Sequence, residues 1–67
     1  MGYRIKEVRE AKRMSQSELA EKSGVSRGII WALETDPNAI TTTKTLVKIA
    51  QALGTTVGDI FFADTVQ

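Results

Sequence analysis

The sequence predicts an all-α fold, a compact bundle of five short helices. Three observations predict it. The chain has 67 residues. Size scaling gives a 7.3 kDa chain roughly 4,200 Å² of folded surface against about 10,600 Å² extended, so about 60% is buried. That is enough for one small core, and the whole of residues 1–67 is expected to form a single domain. Apolar residues recur every three or four positions almost throughout, without sustained strand alternation. Serines and threonines stand where helices would start, and glycines stand where two of them would stop.

Each element can be justified in turn. Ile5, Val8 and Ala11 recur every three residues, with Met14 closing the series and charged residues filling the other faces. This spacing predicts a first helix over about residues 3–13. Ser15-Gln16-Ser17-Glu18 reads as a capping box, with serine accepting the Glu18 N–H and the glutamate reaching back. It opens a second helix from Gln16 to about Ser23, with Leu19 and Ala20 inward and Gly24 as the stop. Ser26 caps a third helix from Arg27 to about Glu34, which places Ile30 and Leu33 on its inner face. Thr35 to Thr41, with Asp36-Pro37-Asn38 inside, is a turn, because Pro37 lacks an N–H and constrains Asp36. Thr42 caps a fourth helix whose stripe is Leu46, Ile49, Ala50 and Leu53, ended by Gly54. Thr56 with Asp59 is a weaker cap for a short fifth helix holding Val57, Ile60 and Phe61 or Phe62. The run Ile60-Phe61-Phe62 is ambiguous between helix and strand. All five lie at or below the roughly 12–15 residues an isolated helix needs in water, so each depends on packing against the others.

Composition excludes several function classes. There is no Cys, so there is no disulfide framework, thiolate nucleophile or Cys-based metal site, and no His, so there is no imidazole base or ligand. Asp36, Asp59 and Asp64 fall in loops or caps without such a partner, and a small helical domain offers little concave volume for a substrate. Neither an enzyme nor a cofactor or metal is expected. No stretch approaches the 18 or so apolar residues of a membrane span. Met1-Gly2-Tyr3-Arg4 leads straight into mixed charged and apolar residues, which predicts no secretory leader and a cytoplasmic address. Nine basic against eight acidic residues give a net charge of +1, which names no partner. The charges are unevenly spread, however. Residues 1–34 carry seven basic and five acidic side chains, and residues 35–67 carry two and three.

The informative stretch spans about residues 15–34, where two helices of about eight residues are joined by Ser23-Gly24-Val25-Ser26. A tight Gly-containing turn between short helices is the helix-turn-helix signature, although a plain helical bundle also uses such turns. In the nucleic-acid reading, Val25 fills the turn and Ile30 and Leu33 seat the third helix, leaving its outer face for a major groove.

Ser15 through Arg27, with Ile30, Leu33 and Glu34, resembles the Cro/cI-type (XRE-like) helix-turn-helix domain of phage repressors and bacterial regulators. Leu46-Val47-Lys48-Ile49-Ala50-Gln51-Ala52-Leu53-Gly54 is similar to that family's fourth helix and the glycine behind it. The resemblance runs from Ile5 to about Phe61. It implies a lambda-repressor-like fold and sequence-specific binding of double-stranded DNA, usually by a homodimer on a palindromic operator, to regulate transcription.

The resemblance also assigns residues. Gln16 is implied to meet the DNA backbone, and Ser15 and Ser26 to cap helices whose N–H groups approach phosphates. Arg27 is implied to reach base edges or phosphate, with guanine as the bidentate match. Gly28 and Ala32 occupy positions that commonly carry polar base-reading side chains, so they depart from the pattern. Trp31 is expected along the DNA backbone, in a gap beside the loop, against a partner subunit, or partly buried as a structural residue. Arg9 and Glu34 are implied to form an ion pair bridging the first helix to the end of the third. In the following loop, Asp36-Pro37 and Thr41 stand in place of the usual glycine and proline, and Asn38 and Lys44 remain candidates for phosphate. Ile60, Phe61, Phe62 and Val66 form the expected dimer surface, unless a phenylalanine closes the monomer core instead. The alternative function is an antitoxin or protein-interaction module on the same fold, with a toxin as protein partner.

Overall fold

Helices this short leave most of their terminal N–H and C=O groups without intrahelical partners, and the chain satisfies many of them locally. The computed structural model describes residues 2–36 and 38–62. The elements run β1 (Gly2–Tyr3), α1 (Ile5–Ala11), α2 (Gln16–Ser23), α3 (Arg27–Thr35), α4 (Thr43–Leu53), α5 (Val57–Ile60) and β2 (Phe61–Phe62). The Glu18 N–H donates to Ser15 Oγ at 3.0 Å, and the Ser15 N–H donates back to Glu18 Oε1 at 2.9 Å. Ser26 Oγ accepts from the Ile29 N–H and Thr42 Oγ1 from the Thr45 N–H, each at 3.2 Å. Gly24 and Gly54 end α2 and α4 at φ of 75° and 71°, a left-handed conformation that costs glycine nothing.

Two ends differ from the sequence reading. Tyr3 is outside α1. β1 pairs antiparallel with β2, Gly2 opposite Phe62 and Tyr3 opposite Phe61, and the Arg4 N–H donates to the Ile60 carbonyl at 2.7 Å. The ambiguous run therefore ends as helix at Ile60 and continues as strand. Its pairing partner lies at the opposite end of the sequence, out of reach of any local periodicity. At its other end α1 stops at Ala11, not near residue 13. Arg13 turns left-handed at φ 55°, and the Met14 N–H reaches back to the Arg9 carbonyl at 3.1 Å. Ala11 is exposed, and Arg9 takes the buried place on this helix.

The five helices share one core. Ile5, Leu19, Ile30, Ile49, Leu53 and Ile60 are fully buried, each stabilising the fold by about 1.5–3 kcal/mol relative to an exposed position. Val25 fills the turn between α2 and α3. Ile60 thus belongs to the monomer core and cannot line a dimer surface. Phe61 is 40% exposed, with its ring 5.6 Å from that of Tyr3. Val66 and the Phe62 side chain lie outside the described residues. Among the described residues no helix is long and apolar enough to cross a membrane.

Candidate nucleic-acid interface

The site is built from the first turns of α2 and α3. Ile30 and Leu33 anchor the inner face of α3 in the core, which turns the opposite face of the helix outward. Arg27, Gly28, Ile29 and Trp31 are all exposed there. Ser23 Oγ accepts from the Val25 N–H at 3.1 Å, tightening the turn that sets α3 against α2.

A buried charge network fixes this arrangement. Arg9 forks onto Glu34, with Nε donating to Oε2 at 2.8 Å and Nη2 to Oε1 at 2.9 Å. Its remaining nitrogen, Nη1, donates to the Met14 carbonyl at 2.7 Å. The Gln16 amide donates to Glu34 Oε1 at 3.0 Å. The Glu34 side chain is only 2% exposed. Burial pushes its carboxyl up, but the Arg9 and Gln16 hydrogen bonds and the charges of Arg9 and Lys6 outweigh burial and hold it below the ordinary range. The bond to Glu34 raises the Arg9 guanidinium above its usual value, against the opposing effect of burial. Glu34 therefore stays ionised and joins α1, α2 and α3 at one point. Because a carboxylate only accepts, the Gln16 amide must turn its nitrogen to Glu34, leaving a second N–H free to donate elsewhere. Gln16 and Glu34 were read separately in the sequence, 18 residues apart, and nothing in the spacing joins them.

Gln16, Arg27, Gly28 and Trp31 line one shallow, open depression. Arg27 has no hydrogen-bond or ion-pair partner among the described residues. A Cβ built on Gly28 would meet nothing within 4 Å, so packing within the monomer does not require glycine there. Trp31 is 58% exposed, which overturns the expectation of a partly buried structural tryptophan. It lies one helical turn beyond Arg27 on the same face.

A helix-turn-helix family model matches residues 5–60. The chain belongs to the Cro/cI-type (XRE-like) helix-turn-helix family. No significant match is found among curated proteins or among solved structures. This helix-turn-helix family is generally associated with DNA binding, and its fold is not a catalytic one.

Around that helix-turn-helix the other candidate residues divide. Ser15 and Ser26 use their oxygens to cap α2 and α3 and so sit at the helix starts beside the depression. Ala32 is half-buried and does not line the depression. Asn38 and Lys44 are exposed, but the depression is formed without them. The Asn38 N–H donates to Asp36 Oδ1 at 2.9 Å, so the acidic side chain is occupied within its own loop. Tyr3 was not singled out in the sequence. Its hydroxyl donates to the Ala39 carbonyl at 2.9 Å and ties this loop to β1. Among the described residues no cluster of Asp or Glu could hold a metal ion.

Proposed function

We propose that the chain is a sequence-specific regulator of transcription, a small repressor that binds double-stranded DNA as a homodimer through α3. The observation that carries this reading is the unpartnered Arg27 at the exposed start of α3, beside a Gln16 amide held by Glu34. Arg27 supplies the base contact, Gln16 and the first N–H groups of α2 and α3 supply phosphate contacts, and Lys44 and Asn38 extend the docking edge. The dimer forms on the side carrying Phe61 and β2, and the protein acts in the cytoplasm. A net charge of +1 fits modest non-specific affinity and a strong dependence on dimerisation.

Selection from a random duplex pool tests the reading. It should enrich a palindrome with half-sites about 34 Å apart, and binding should weaken steeply as salt rises. No affinity beyond the non-specific micromolar range (~10⁻⁶ M), even at low salt, would contradict it.

A second reading, an antitoxin-like module whose main partner is a protein, draws support from the exposed Ile29, Trp31 and Ile40, the last 93% exposed. It predicts that Trp31→Ala abolishes a protein complex while leaving duplex affinity unchanged.

A further inference from the structure

Each wall of the depression on α3 has a different chemistry. Arg27 offers only donors, Gln16 a single free amide face, Trp31 a broad apolar ring, and Gly28 an empty floor with no side-chain donor or acceptor. The floor is not a packing requirement, because a Cβ at Gly28 would project into open space. Glycine in a helical position costs stability, and no packing contact among the described residues requires it at Gly28. The groups a major groove presents limit what can fill such a notch. Guanine shows two acceptors, adenine an acceptor and a donor, and cytosine a donor, whereas thymine adds the groove's one apolar group, its 5-methyl.

We infer that the Gly28 notch, walled by Trp31 and Arg27, seats the 5-methyl group of a thymine next to the guanine that Arg27 reads. The inference rests on the DNA-binding reading and names the base step which that site selects. Arg27 spans guanine N7 and O6 with two N–H groups. The neighbouring methyl then lies against the indole, and the missing Gly28 side chain lets the α3 backbone approach. Specificity at this step comes from shape and apolar contact where polar side chains are absent.

Selection is run on two random duplex pools that differ only in carrying thymine or uracil, so the 5-methyl is the single variable. From the thymine pool the protein should enrich a motif with thymine beside guanine. Replacing that thymine by uracil in the enriched duplex should weaken binding about fourfold per half-site, the loss expected for one buried methyl-sized group. Gly28→Gln fills the notch with an amide suited to adenine, so preference at that position should move from thymine to adenine and the methyl effect should vanish. The same variant should melt about 2–5 °C higher than the parent, since glutamine is the better helix former, so its altered binding cannot be ascribed to misfolding. Equal binding of the thymine and uracil duplexes, with the motif intact, would overturn the inference and leave the DNA reading standing. So would a fourfold methyl effect that survives Gly28→Gln. Failure of both pools to enrich any motif would overturn the inference and the DNA reading together.

Discussion

Replacing Arg9 by methionine removes three hydrogen bonds while keeping much of the side chain's apolar length. Two of those bonds end on Glu34 at 2.8 and 2.9 Å, and the third ends on the Met14 carbonyl at 2.7 Å. The consequence depends on where the abandoned carboxylate sits. Glu34 is 2% exposed and keeps only the Gln16 amide, whereas Arg9 itself keeps 10% exposure at the edge of the core. Breaking a buried pair by deleting one partner costs about 3–5 kcal/mol, and the partial exposure of Arg9 points to the lower end, about 3. A domain of this size has roughly 3–10 kcal/mol in total, so the variant should retain little stability. Its melting temperature should fall by about 12–24 °C. Chemical denaturation followed by circular dichroism measures the change directly. The double variant Arg9→Met with Glu34→Leu should recover most of the loss, because it no longer strands a charge. A cost below about 1 kcal/mol for Arg9→Met would refute the reasoning, since that is the behaviour of a solvated surface pair.

Acid should unfold the protein partly through the same residue. Glu34 is held below its ordinary pKa in the folded state, so its contribution is present above the unfolded value of about 4.3 and is lost as pH falls through the folded value. Asp59 acts in the same direction, because the hydroxyls of Thr55 and Thr56 and the Thr56 N–H lower its carboxyl. Melting temperature should therefore be flat from neutral pH to about 5 and decline below that, and Glu34→Gln should decline less steeply. Arg13→Gly should stabilise the protein by about 0.5–1 kcal/mol, because Arg13 holds a left-handed φ of 55° where glycine has no steric cost; denaturant midpoints report it. Ser15→Ala should lose about 1 kcal/mol by breaking the capping box of α2, seen in the same midpoints.

What could be read from the sequence was mainly local. Ser15, Ser26 and Thr42 start their helices and Gly24 and Gly54 end theirs, because a cap and its target lie within four residues of each other. The stripe Leu46, Ile49, Ala50 and Leu53 is buried for the same reason, since one helical period decides its face. Pairings that span the chain were not readable in this way. Tyr3 meets Phe61 in a ladder, and Arg9 meets Glu34 across 25 residues; family resemblance implied that second pair, and spacing did not. The three-residue series of α1 also misled, placing Ala11 inward when Arg9 has a partner that makes its burial tolerable. Trp31 was legible in direction but not in degree: next to Ile30 on the inner face of α3 it turns outward, and it is 58% exposed where partial burial was expected.

The proposed recognition of DNA turns on Arg27 of α3 reading a base edge. The direct measurement compares the parent protein and Arg27→Ala on the enriched duplex and its single-base variants, each across a salt series. Arg27→Ala should lose about 1–3 kcal/mol on the enriched duplex and no longer discriminate at one base pair, while the other positions keep their preferences. Weakening by the same factor on every duplex, with the salt slope reduced by about one, would place Arg27 on phosphate and contradict the claim.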